Sequence, residues 1–142
     1  MFVACSTLCF SREPLEVALR RIAELEFSKI DLAIVEGSPH LRPSEVAENP
    51  EAALHRIRHG PSLTPVALDL DFGDVDPKTY RRRFEVMCRL AKPLTVAVLA
   101  IPAAPAGTPF DDEVRRLAAL NEVARREGLV LTVATHSEMR AR

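Results

Sequence analysis

The chain has 142 residues, of which 47% are hydrophobic and 27% charged, with 19 basic and 20 acidic side chains and a net charge of −1. This length and composition are typical of one globular domain, so residues 1–142 are predicted to form a single one. The balanced charge offers no basic surface for nucleic acid or for an anionic membrane, and neither is expected as a partner.

The cysteine content and the N-terminal sequence indicate the cellular compartment of the protein. Three cysteines, an odd number, do not form a disulfide framework. The N-terminus carries no charged segment followed by an apolar one, as a secretory signal would. No apolar run approaches the roughly 18 residues that cross a bilayer. These features predict a cytoplasmic protein.

The first half of the chain alternates short apolar runs with helical periods. Residues 2–7 predict a buried strand, and apolar side chains then recur at three- and four-residue steps from Leu15 to Leu25, as in a helix. A second strand is predicted at residues 30–35 and a long loop at 37–48. A short helix follows the cap and proline at Asn49 and Pro50.

The second half continues the same alternation. Strands are predicted at residues 66–72, 95–101 and 129–133. Between them, one helix is predicted from the cap at Asp76 and another from a start at Thr108 that resembles a capping box. Gly128 is typical of a helix C-cap. The fold class predicted is therefore α/β, with parallel βαβ repeats of five strands and four helices.

Polar side chains that follow the strands are the candidates for binding a ligand, because ligands of parallel α/β folds bind at the carboxyl ends of strands. Glu36 and His40 follow the second strand, Asp69 and Asp71 end the third, and His136 follows the fifth. Asp69 and Asp71 face the same way, either as an acid/base or metal pair or as a polar strand end bonded to loop amides. The predicted substrate-binding residues are Glu36, His40, Asp71 and His136, with no catalytic residue and no metal ligand assigned.

Other polar clusters are interpreted as surface features. His55 and His59 lie four residues apart on a predicted helix, a spacing compatible with a metal, but no further ligand lies nearby in sequence. The basic triplet at residues 81–83 is interpreted as a solvated helix face. The sequence contains neither a dinucleotide-binding glycine motif nor a phosphate-binding P-loop.

Two segments resemble the xylose-isomerase-like barrel family. Residues 23–32, AELEFSKIDL, are similar to the passage from the first helix to the second strand, with Glu26 where the family usually has glycine. Residues 128–136, GLVLTVATH, are similar to the fifth strand, with His136 kept and Ala134 where the family has glutamate. The resemblance implies a partial (β/α)8 TIM barrel that covers the first five of eight strands.

The resemblance also implies a function. Family members are sugar or sugar phosphate isomerases and epimerases, and a divalent metal (Mn, Mg or Zn) is expected for the complete family barrel, held by side chains of strands five to eight. With Ala134 in a ligand position, no cofactor is expected in this chain, and the chain alone is expected to be inactive.

Two hypotheses therefore stand. The first is a shortened or degenerate isomerase or epimerase that binds a small sugar or sugar phosphate. The second is a non-catalytic α/β binding or assembly module. Because five strands cannot close an eight-stranded barrel, a homo-oligomer formed through open sheet edges is expected.

Overall fold

The computed structural model describes residues 1–134 as alternating strands and helices. Five parallel strands form one sheet in the sequential order β1-β2-β3-β4-β5. Their bounds are Cys5–Ser6 (β1), Lys29–Val35 (β2), Thr64–Asp71 (β3), Val98–Pro102 (β4) and Val130–Ala134 (β5). The predicted fold class, a parallel α/β sheet with crossover helices, is confirmed.

Five α-helices connect these strands, together with a short 3-10 helix at Thr7–Phe10. They are Leu15–Glu24 (α1), Pro43–Glu48 (α2), Pro50–Arg58 (α3), Pro77–Ala91 (α4) and Phe110–Arg126 (α5). None of the helices within residues 1–134 is long and apolar enough to cross a membrane.

Helix α2 lies where the sequence predicted a loop, so the prediction of four helices was one short. Its six residues are too few to display a helical period. Pro43 occupies the first turn, where a missing N–H is tolerated, and Pro43 and Val46 are buried. Burial of these two side chains supports the short helix.

Strand β1 is shorter than predicted. Only Cys5–Ser6 pairs with β2, and the chain then enters the 3-10 helix. The Thr7 hydroxyl, which is fully buried, accepts a 3.0 Å hydrogen bond from the backbone N–H of Ala33. The Thr7 side chain therefore makes a hydrogen bond to β2 just after the point where the backbone pairing of β1 with β2 ends.

The hydrophobic core lies between the sheet and the helices. Alternate strand residues are completely buried on that face, including Leu32, Leu68 and Leu99. The opposite face is more open: Ala33, Asp69, Ala100 and Thr132 form one row across β2 to β5, and exposure increases toward Thr132. Successive side chains along each strand point to opposite faces, as expected for a pleated sheet.

The N-terminal cap of α4 is the one predicted from the sequence, whereas the predicted cap of α5 is not found. Asp76 caps α4 by accepting a 3.0 Å hydrogen bond from Thr79 N. At α5 the cap position is Pro109, which makes no side-chain cap, and the Thr108 hydroxyl instead donates to Pro105 O at 2.8 Å. The predicted box-like start at Thr108 was wrong.

Helices α1 and α5 end in the same left-handed turn. After α1, Glu26 N bonds Ala23 O at 2.9 Å and Phe27 N bonds Ile22 O at 3.4 Å, with Glu26 at φ +67. After α5, Gly128 holds the equivalent position at φ +72, with the equivalent pair of bonds. This is the Schellman arrangement, in which glycine is the usual left-handed residue.

Candidate functional site

Glu36 and Asp71 are brought together at the carboxyl end of the sheet. Val35 and Asp71 are register partners at the ends of β2 and β3, and Glu36 N donates to Asp71 O at 2.9 Å. Asp71 is exposed, and its Oδ1 accepts a 3.0 Å hydrogen bond from Gly73 N. Two of the four predicted substrate-binding residues thus share one rim, and Asp71 has the loop-amide contact expected of a polar strand end.

The Glu36 carboxylate is held by groups that the sequence did not single out. Ser44 donates to it twice, from its hydroxyl at 2.6 Å and from its backbone N–H at 3.2 Å. Arg83 on α4 places Nη1 3.7 Å from Glu36 Oε2, with an 18% exposed side chain. Arg83 therefore faces the rim, although the triplet that contains it was interpreted as a solvated face.

His40 is placed below the rim. It is 2% exposed, its Nε2 lies 3.1 Å from Phe10 O, and its Nδ1 has no hydrogen-bond partner within the described residues. Because a carbonyl only accepts, Nε2 is the donor. His40 thus ties the loop after β2 to the 3-10 helix, and in this conformation its ring has almost no surface for a ligand.

His136, the fourth predicted residue, lies outside the described residues. Its role in substrate binding stays a prediction. Of the four candidates, Glu36 and Asp71 are adjacent and His40 is buried nearby.

A second pair of carboxylates, Asp31 and Asp69, lies on the open face of the sheet. Burial and then the charge of Asp69 raise the pKa of Asp31. The Oδ1 atom of Asp31 is buried and makes no hydrogen bond within residues 1–134. Asp31 enters the sequence prediction only as part of the family-like motif. The signal that could have found it is its acidic side chain within the apolar run of residues 30–35.

The described residues do not fit the divalent metal that the resemblance implies for a complete barrel. Within residues 1–134, no group of three or more histidine, cysteine, aspartate or glutamate side chains is arranged to hold a metal ion. Ala134, where the family has a glutamate, ends β5 opposite Pro102 and offers only a methyl group. No catalytic step of this part of the chain is therefore assigned to a metal.

The sheet and its rim define the class of protein: within residues 1–134, five parallel strands lie in TIM-barrel order, the first four each followed by at least one helix, with polar groups at the strand ends. Among the solved structures that share this fold are two that cover nearly all of this chain. One is the IolI protein with a bound zinc atom, at a TM-score of 0.66 and 16% identity over 98% of this chain and 54% of that chain. The other is a xylose isomerase-like TIM barrel protein from Mycobacterium smegmatis in complex with magnesium, at a TM-score of 0.70 and 16% identity over 96% of this chain and 56% of that one.

These comparisons confirm the resemblance to xylose isomerase-like barrels at the level of the fold. The chain spans little more than half the length of each matched structure. No family model matches the sequence, and a search of curated proteins finds no significant match.

Proposed function

We propose that the chain is a sugar- or sugar-phosphate-binding α/β protein of the isomerase and epimerase type, with its ligand at the rim formed by Glu36 and Asp71. The observation that carries the proposal is that Glu36 and Asp71 are neighbouring residues at the carboxyl ends of β2 and β3, where Glu36 N donates to Asp71 O at 2.9 Å. Carboxylates accept hydrogen bonds from hydroxyl groups, the groups that a sugar presents in greatest number. The shared fold with xylose isomerase-like barrels supports the same ligand class.

The two carboxylates have different parts in this proposal. Glu36 is held by Ser44 and Arg83, so its orientation is set before a ligand arrives. Asp71 is exposed and keeps acceptor capacity beyond its bond to Gly73. Asp71 would accept from a sugar hydroxyl directly, and Glu36 would position Arg83 toward a hydroxyl or phosphate oxygen.

The proposed activity is binding rather than metal-dependent turnover. Isomerisation of the family type needs converging metal ligands, which residues 1–134 do not provide. A cytoplasmic location belongs to the same proposal, because Cys5, Cys9 and Cys88 are all free thiols.

The test is amide chemical-shift mapping of the full chain with a panel of aldoses, ketoses and sugar phosphates. Shifts are expected at Glu36, Asp71 and Gly73. Asp71→Asn should weaken binding, whereas Glu24→Gln, an exposed carboxylate at the far end of α1, should not. Shifts confined to helix surfaces, or equal binding by Asp71→Asn and the parent chain, would contradict the proposal.

The second candidate function, a non-catalytic assembly module, is favoured by the exposure of β5, which forms one edge of the sheet within residues 1–134. Val130 is 58% exposed and Val133 is 38% exposed, on opposite faces of β5. An edge strand with apolar side chains is a template for pairing with another chain. Light scattering on gel-filtered protein tests this candidate, since a homo-oligomer that binds none of the sugars would support assembly over ligand binding.

A further inference from the structure

Two histidines lie one turn apart at the C-terminal end of α3, on the exposed surface of the protein. The ring centroids of His55 and His59 are 5.1 Å apart and the ring planes differ by 23°. Both residues are exposed, and His59 N donates to His55 O at 2.9 Å, so the helical backbone fixes their spacing. We propose that these two imidazoles chelate one divalent cation of the Zn²⁺, Ni²⁺ and Cu²⁺ class.

The geometry needs little change to reach chelation. Residues four apart lie on the same helix face, so the two rings are already next to each other. Rotation of the side chains is enough to bring one nitrogen of each ring to about 2.0–2.1 Å from a shared ion. Because His55 lies on α3 and His59 is the C-cap residue of that helix with helical backbone angles, little backbone ordering accompanies binding. Water would complete the coordination, so the site needs no third protein ligand.

The charges around the two rings permit a cation. Arg56, on the same helix, is engaged by Glu16 at 2.7 and 3.2 Å, and Arg58 donates to Pro93 O at 2.7 Å. The C-terminal end of a helix carries partial negative charge, which favours cations. Arg20 lines the same open cleft, of about 400 Å³, and its charge opposes binding, so the expected affinity is modest.

The donor atoms determine which metals are accepted. Imidazole nitrogen suits zinc, nickel and copper, whereas magnesium and manganese prefer oxygen ligands. This site is thus distinct in position and in ligand class from the proposed sugar-binding rim at Glu36 and Asp71. Its selectivity can be measured with metal salts alone.

The experiment is calorimetric titration of the full chain with Ni²⁺, Zn²⁺ and Mg²⁺. A Cys9→Ser background is used because Cys9 is an exposed free thiol, and thiols are themselves ligands for the same metals. One Ni²⁺ or Zn²⁺ per chain is expected, with no binding of Mg²⁺ at the two rings. His55→Gln and His59→Gln should each raise the Kd at least about tenfold, a difference that calorimetry resolves.

Glu122→Gln is the matched control, because it removes an exposed carboxylate from another helix, α5. It should leave the affinity unchanged. Ring resonances of His55 and His59 should shift on adding metal, and circular dichroism verifies that each variant is folded. Loss of binding in Glu122→Gln, or unchanged binding in both His55→Gln and His59→Gln, would overturn the proposal.

Discussion

Replacing Glu26 by glycine is expected to stabilise the protein, because Glu26 occupies the left-handed turn that ends α1. Its φ is +67, and its N–H and that of Phe27 make the paired hydrogen bonds of a Schellman motif. The side chain is exposed, so its removal costs no core packing. The family-like motif has glycine at this position, and the backbone conformation gives the physical reason.

The expected size follows from three terms. A left-handed conformation costs a residue with a Cβ roughly 1–2 kcal/mol. The greater flexibility of glycine in the unfolded chain offsets about 0.5–1 kcal/mol of that gain. Removing a carboxylate from the C-terminal end of a helix adds about 0.3 kcal/mol at an exposed site. The net gain is about 1 kcal/mol, or about 3–5 °C in the unfolding midpoint for a chain of this length.

Urea unfolding followed by circular dichroism measures this gain as a change in midpoint at constant slope. Glu26→Ala removes the charge but keeps the Cβ, so it should gain only about 0.3 kcal/mol. Gly128→Ala is the reverse test and should lose about 0.5–1 kcal/mol. A Cβ at Gly128 would meet nothing within 4 Å, so this loss reports backbone conformation alone. The reasoning is refuted if Glu26→Gly is no more stable than Glu26→Ala, or if Gly128→Ala unfolds like the parent chain.

Four further outcomes are expected. The hydrogen bond from Arg56 lowers the pKa of Glu16, so their ion pair stabilises the folded chain above the ordinary glutamate pKa, and this contribution is lost as the pH falls through the lowered value. Glu16→Gln should therefore lower the free energy of unfolding by less than about 1 kcal/mol at neutral pH and not at all in strong acid, as urea titrations at both pH values would show. Burial and the charge of Asp69 raise the pKa of Asp31, so folded-state stability falls as the pH rises from the ordinary aspartate pKa through the raised one. Asp31→Asn should consequently exceed the parent in stability at neutral pH and match it in acid, and an equal difference at both pH values would show that the carboxylate charge is not responsible. The chain is expected to lack metal-dependent sugar isomerase activity, and turnover with stoichiometric tightly bound Mn²⁺, Mg²⁺ or Zn²⁺ would contradict this. Self-association is expected at micromolar concentration in light scattering, and a cooperative monomer with low dye binding would be the contrary result.

Much of the fold could be predicted from local sequence. Apolar runs and helical periods located the five strands and the four longer helices, because each pattern reflects which face of an element is buried. The Asp76 cap and the Gly128 turn were likewise local, since each depends on hydrogen bonds within a few residues. The adjacency of Glu36 and Asp71 also followed, because carboxyl ends of neighbouring parallel strands meet at one edge.

The tertiary structure decided the features that depend on distant contacts. His40 is buried because its ring bonds Phe10 O, 30 residues away in sequence, and no local pattern records that contact. Arg83 faces Glu36 only because α4 packs beside the loop after β2. Helix α2 forms because its Pro43 and Val46 side chains become buried. The pKa of Asp31 is raised first by burial and then by the charge of Asp69 on the neighbouring strand. Sequence periodicity shows which face of an element is buried, whereas the partner that covers a given side chain is determined only when the elements pack.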